Sequence, residues 1–371
     1  MTTGFFHDER CLWHGGGNYA FMLPVGGLVQ PGGGLPENPE TKRRLVNLLR
    51  VTGLMAELAE QSAPEASRAD LLRVHPAAYL DAFKAASDAG GGEMGPRAPF
   101  GAGGYELAAL SAGLARAALF AVLEGRASNA YALSRPPGHH CLADQPMGFC
   151  LLANIAIAIR AAQAAGLARR VAVIDWDVHH GNGTEAIFYD DAQVLTISLH
   201  QEHNFPLDSG GAEARGAGAG LGANLNIPLP PGSGHESYVE AIERLVLPAL
   251  DGFRPEVIVI ACGFDASAFD PLGRMLASGE TFWLMTRALM GAARRLCGGR
   301  LVAVHEGGYS EVHVPFCAHA VLEEMSGSAI RAPDPFAATL GARQPGPEWR
   351  AHVSRHIGRL EAAFAAPTSA G

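Results

Sequence analysis

The stretch 171-VAVIDWDVHHGNGT-184 opens on four apolar residues and then places two aspartates and two histidines between Asp175 and His180. An unbroken branched apolar run of this kind predicts a strand buried on both faces, as in a parallel sheet. Burying charge at the end of such a strand is costly. The charged groups therefore either satisfy one another or hold something.

Four other short β-branched or apolar runs also read as strands, at 129–133, 194–199, 256–262 and 301–304. They run into SRPPGHH, SLHQEHNFP, CGFDAS and HEGGYS respectively. Helix-period segments at 153–165, 235–251 and 279–297 separate most of them, and further helices are predicted from about Thr41 and from Glu106 to about Glu124. Alternating strand and helix predicts an α/β fold with an open parallel sheet covered on both faces. Ligands of such sheets bind beyond the carboxyl ends of the strands, where all five polar segments would converge.

The 371 residues show no internal repeat and read as a single domain over 1–371. Gly/Pro-rich loops are expected at 14–39 and 87–104, and a frayed tail at 365–371. HGGG at 14–17 lacks the GxSxG partner of a hydrolase elbow. The glycine run at 215–228 opens no helix, as a dinucleotide fingerprint would, and leads into a strand instead.

Hydrophobic residues make up 48% of the chain, enough for a large core, and the formal charge is -9. That charge leaves no footprint for nucleic acid. No basic run suggests a membrane surface, and no window is expected to supply the ~20 apolar residues of a membrane span. Six cysteines without a CxxC pair suit a reducing compartment, and with no signal-like start the expectation is a cytoplasmic protein.

Asp177 and His179, two apart, point the same way in an extended segment, and Asp265 at another strand end supplies a third donor. Three protein ligands leave a position open, as catalytic zinc sites do; Fe(II), Co(II) or Mn(II) would also suit this mixed O/N set. A plainer alternative is that Asp177 and His179 pair within a loop while Asp265 caps a helix. That alternative leaves the other strand ends unexplained. His139 and His140, behind Pro136-Pro137-Gly138, are placed for proton transfer, with Asp175 and Asn182 available to fix their tautomers. Tyr309, after two glycines, is placed to donate to an oxyanion, although a GGY alone is commonly just a turn. Together these parts spell metal-assisted hydrolysis of an uncharged acyl bond.

RPPGHH (135–140), MGFC (147–150), DWDVHHGNGT (175–184), GFDAS with DPLG (263–273) and EGGYS (306–310) resemble the histone deacetylase/acetylpolyamine amidohydrolase superfamily, and most of all its bacterial class II-like members. The resemblance spans about Thr41 to Leu340. It implies the arginase/deacetylase fold with a parallel sheet of about eight strands. It also implies one catalytic Zn²⁺ on Asp177, His179 and Asp265. By position, His140 resembles the general base and acid, His139 with Asp175 its electrostatic helper, and Tyr309 the carbonyl-polarising tyrosine. Asn182 stands where the family puts Asp or Asn as the partner of His140. Gly148, Phe149 and Phe205 would wall an acyl-lysine tunnel with Leu272 at its rim. Glu93 is the nearest candidate for a rim acid that is usually Asp.

The resemblance further implies one or two structural K⁺ ions. The first would take the Asp175 carboxylate, the Ser198 hydroxyl and the carbonyls of Asp175, Asp177, His179 and Leu199. The second would take carbonyls near Phe188, Asp191 and Val194. A homo-oligomer, dimer or tetramer, is expected as well. The expected substrate is an acyl-lysine peptide or small acylated amine. The rivals are acetylpolyamine deacetylation, a catalytically silent acyl-amine binding module, and arginase-like dinuclear manganese chemistry. The last would need carboxylates where this chain has Asn182 and Ala266-Ser267.

Overall fold

A computed structural model describes residues 2–17, 19–25, 28–30 and 33–365. Eight parallel strands form its central sheet: β1 (Gly4–Phe6), β2 (Ala59–Gln61), β3 (Ala130–Ala132), β4 (Val171–Asp175), β5 (Val194–Gln201), β6 (Asn224–Leu229), β7 (Val257–Cys262) and β8 (Leu301–His305). Their order across the sheet is β6-β5-β4-β7-β8-β3-β1-β2. Strand β4 lies inside the sheet, with Val171–Asp175 in register with Val194–Ser198 of β5 and Val257–Ala261 of β7.

The period-two geometry of a strand explains why these runs are apolar throughout. Ala172 and Ile174 of β4, Ile258 and Ile260 of β7, and Leu301 and Ala303 of β8 face one core, against helices that include Glu40–Thr52, Gly279–Cys297 and Val314–Ser326. Val171, Val173, Val257, Val259, Val302 and Val304 face the other, against Gly104–Leu123 and Asn154–Ala164. The helix predicted at 279–297 has those limits, set by a capping box between Ser278 and Thr281 and by left-handed Gly298.

Three differences from the sequence expectations have physical reasons. Strands β1 and β2 are three residues each and lie outside the five runs expected as strands. The two expected loops contain short antiparallel hairpins, Tyr19–Ala20 with Leu23–Pro24 and Gly91–Glu93 with Pro99–Gly101. The expectation that no window is apolar enough for a membrane span is corrected: Gly104–Leu123 reaches that length and composition, but most of it is buried inside the fold. Its hydropathy is that of a core helix. Of the tail expected to fray, 366–371 lie outside the described residues, and Ala365 ends the helix Pro347–Ala365.

Beneath the sheet's carboxyl edge, the N-terminal segment is tied down by a buried ion cluster. Arg135 Nε donates to Glu37 Oε1 at 3.0 Å, its Nη1 donates to the carbonyls of Cys11 and His14, and Lys42 Nζ lies 3.2 Å from the same Glu37 oxygen. Burial alone would raise the Glu37 carboxyl, but Arg135 and Lys42 outweigh it and hold it at about 2. A depressed carboxylate contributes stability that is complete above its unfolded value near 4.5 and is lost as pH falls through 2. Glu37→Gln should therefore cost roughly 3–5 kcal/mol at neutral pH, because it leaves two buried cations unpaired. It should also flatten the acid limb of stability between those two pH values. Chemical denaturation across a pH series measures both, and an acid limb as steep in the variant would assign the loss to other groups.

Candidate active site

The carboxyl edge of β4 and β7 brings Asp177, His179 and Asp265 together, with their ligand atoms all within 4.8 Å of one another and all three side chains buried. His179 Nδ1 lies 3.1 Å from Asp177 Oδ1 and 3.0 Å from Asp265 Oδ2. Backbone amides fix the carboxylates from outside: Val178 N–H donates to Asp265 Oδ1 at 2.7 Å, and Gly307 N–H donates to Asp177 Oδ2 at 2.8 Å. Burial and the Asp177 charge push the Asp265 carboxyl up to about 6. Burial opposes a charge on His179, but Asp265 and Asp177 outweigh it and lift the imidazole to about 10. Two buried carboxylates and one imidazole aimed at a common point are a set that a divalent cation would satisfy. These three residues fit a metal.

A second group, His139, Cys150 and Glu306, is equally compact but fits one poorly. Burial pushes the Cys150 thiol well above its ordinary range, and its Sγ already accepts the His140 N–H at 3.4 Å. Glu306 Oε2 accepts the N–H groups of Gly138 and His139 at 2.7 and 3.1 Å, so this carboxylate clamps the histidine loop.

The two histidines stand with ring centroids 4.0 Å apart but in different surroundings. His139 Nδ1 lies 2.9 Å from Asp175 Oδ2, and His140 Nδ1 lies 2.7 Å from Asn182 Oδ1. The Asn182 amide nitrogen points at Met147 Sδ, so its oxygen faces His140 and the ring proton sits on Nδ1, leaving Nε2 a free lone pair. For His139, burial disfavours charge, but Asp177 and Asp175 override it and raise the ring well above its ordinary value. For His140, burial and then the neighbouring His139 and His179 push the value well down. Environments that drive two adjacent rings apart in this way assign one to carry charge and the other to act as a neutral base.

Met22, Arg97, His140, Gly148, Phe149, His179, Asn204, Phe205, Leu272 and Tyr309 line a narrow cavity of about 70 Å³. Gly148 has a φ of +53°, and a Cβ there would lie 2.8 Å from Phe205, so only glycine leaves room at this wall. Burial drives the Tyr309 phenol well above its ordinary value and keeps it a donor. Asp270, at the head of DPLG, accepts the Tyr309 N–H at 2.7 Å. A larger cavity of about 630 Å³ beside Trp283, Phe316 and Pro333 contains neither of the two possible metal-ligating groups.

Of the residues singled out from sequence, the fold gathers Asp177, His179, Asp265, His139, His140, Asp175, Asn182, Tyr309, Gly148, Phe149, Phe205 and Leu272 around this cavity. Ser198 is the β5 register partner of Asp175. The carbonyls of Phe188 and Asp191 accept the N–H groups of Asp191 and Val194 in one tight turn. Glu93 stands exposed on its hairpin, accepts the Tyr19 phenol at 2.9 Å, and is not among the lining residues. Glu306, Asp270, Met22 and Arg97 carried no role in the sequence reading. The first two lie inside recognised motifs. Met22 and Arg97 come from Gly/Pro-rich loops with no periodic signal.

Residues 35–325 match the histone deacetylase domain family. The chain is 58% identical over 364 residues to a histone deacetylase-like amidohydrolase of Pseudomonas aeruginosa, covering 98% of this chain and 96% of that protein. It is 38% identical over 311 residues to a probable deacetylase of Archaeoglobus fulgidus, covering 81% of this chain and 86% of that one. The crystal structure of the HDA15 HD domain superposes with a TM-score of 0.80 at 31% identity, over 98% of this chain and 97% of that one.

A methyl group on Gly307 would collide with Asp265 Oδ2 and stand 2.6 Å from Asp177 Oδ2. Gly307→Ala should weaken divalent-metal binding by about 10–100-fold, the usual cost of disturbing a ligand's outer support. Competition with a chromogenic chelator would measure it. Metal affinity unchanged in a folded variant would mean that Gly307 does not set the ligand geometry.

Proposed function

Because the chain belongs to the histone deacetylase family and is a deacetylase-type amidohydrolase acting on acetylated amines, we propose that it is a zinc enzyme that removes acetyl or similarly short acyl groups from lysine-type side chains. The observation that carries this reading is the meeting of three side chains that could hold a metal with His140 and Tyr309 at a cavity of about 70 Å³ walled by Phe149 and Phe205. Asp177, His179 and Asp265 would hold the Zn²⁺, which supplies Lewis acidity toward a carbonyl and toward water.

The chain's own groups do the remaining work. Phe149 and Phe205 wall the aliphatic stem and exclude water from the reacting carbonyl. His140 uses its free Nε2 to take a proton from the attacking water and later returns it to the leaving amine. His139, tied to Asp175, keeps positive charge beside the site and helps His140 stay neutral until it acts. Tyr309 donates a hydrogen bond from its phenol to the oxyanion.

The same reading carries K⁺ beside Asp175 and Ser198, with a second, weaker site at the turn of Phe188, Asp191 and Val194. It also carries a cytoplasmic setting, which six buried free thiols suit. A dimer or tetramer is supported by the exposed Trp13, Phe21, Leu23 and Leu28 of the N-terminal segment.

Chelation should abolish turnover of an acetyl-lysine amide and added Zn²⁺ should restore it, whereas full activity in metal-free enzyme would refute the zinc assignment. Tyr309→Phe should leave zinc content intact while kcat falls by about 10²–10³, the usual loss for one oxyanion donor. A change confined to KM would make Tyr309 a binding residue.

Leu272 offers no charge at the rim to meet the distal ammonium of an acetylpolyamine, so acetyl-lysine peptides should be the better substrates. A preference of about tenfold or more for acetylspermidine or acetylputrescine in kcat/KM would overturn that choice.

A further inference from the structure

The tunnel mouth carries a cation that the chemistry above does not use. The carbonyl of Arg97 accepts the Phe149 N–H at 2.7 Å, and that of Pro96 accepts the Gly148 N–H at 3.0 Å. Residues 96 and 97 are thus stitched to the wall that holds the acyl stem. Arg97 itself sits in the left-handed region at a φ of +57°, a conformation uncommon for a non-glycine residue. The backbone turn swings its side chain over the opening, where the guanidinium stands 5.2 Å from the centre of the Phe205 ring. Stacking on an aromatic face leaves the guanidinium edge free to bind.

No ion pair to Arg97 and no side-chain hydrogen bond from it exists among the described residues. Glu93, four residues earlier, is engaged by the Tyr19 phenol. Arg97 is thus an exposed guanidinium at the mouth of a narrow apolar tunnel, on a chain whose net charge is -9.

Resting on the acyl-lysine reading, we propose that Arg97 is a specificity residue that selects substrates bearing a carboxylate on or beside the α-carbon of the acylated lysine. A lysine stem that fills the tunnel leaves its own α-carbon, and the residues beside it, at the opening. A carboxylate there meets a planar donor fork suited to it, and an ammonium there is repelled. The carboxylate comes either from the free α-carboxyl group of the acyl-lysine or from a neighbouring Asp or Glu.

Four acetyl-lysine substrates of otherwise matched sequence separate these sources: alanine-flanked and amidated, glutamate-flanked, lysine-flanked, and alanine-preceded with the free carboxyl on the acetyl-lysine itself. The enzyme should favour the glutamate-flanked or free-acid substrate over the neutral one by about two- to fivefold in kcat/KM, the scale of an exposed ion pair. Whichever of the two gains identifies the source. The lysine-flanked substrate should fall below the neutral one, and raising the salt should shrink the spread.

Arg97→Gln should bring the ratios near one, Arg97→Glu should invert them, and Arg97→Lys should retain part of the preference. Ratios that stay the same in Arg97→Gln overturn the assignment, as does equal turnover of all four substrates. No turnover of the neutral peptide, alongside turnover of acetylputrescine, would instead overturn the acyl-lysine reading and this assignment with it.

Discussion

Two carboxylates buried side by side, Asp177 and Asp265, are the constraint on which the rest of the site depends. Like charges a few ångströms apart in a sealed interior are unfavourable unless a cation or a shared proton intervenes. Here His179 stands between them, and amides of Val178 and Gly307 hold their outer oxygens. Those amides belong to segments leaving β4 and β8, so the sheet itself aims the donors. A rigid parallel sheet can keep such a set open toward a ligand. A loop would relax and let the groups neutralise one another.

The histidine loop depends on a second layer of buried charge. Glu306 leaves β8 and clamps the amides of Gly138 and His139, while Arg135, at the head of the same loop, is anchored by Glu37. Burial raises the Glu306 carboxyl to about 7, against the opposing pull of the His139 charge and the Gly138 amide. The Arg135–Glu37–Lys42 cluster also fastens the chain's N-terminal segment beneath the site. Its removal is therefore expected to affect stability before chemistry.

His139 and His140 are adjacent in sequence and nearly identical in burial, yet are pushed in opposite directions. Against burial, the charges of Asp177 and then Asp175 raise His139, whereas burial and the neighbouring His139 and His179 lower His140, whose own hydrogen-bond partner is the Asn182 amide. An amide fixes the tautomer without favouring the charged ring, which is what a base needs. A carboxylate favours the charged ring, which is what an electrostatic helper needs.

Much of this was determined by sequence alone. Short β-branched or apolar runs alternating with helices point to buried parallel strands, and the polar segments that follow β3, β4, β5, β7 and β8 must share one edge. The candidate metal-ligating set, the histidine pair and Tyr309 stand out in those segments, because their residue types together suit metal-assisted hydrolysis. The tertiary structure decided what carries no local signal. The three-residue strands β1 and β2 exist because neighbours pair with them. The largely buried helix Val314–Ser326 is set by packing against the sheet, and the Glu306 clamp by hydrogen bonds to amides of the loop after β3. The tunnel mouth is decided last of all: Arg97 stands there because backbone hydrogen bonds to Gly148 and Phe149, about fifty residues away in the chain, hold its loop against the wall. No periodicity or motif in a Gly/Pro-rich segment encodes a contact of that range.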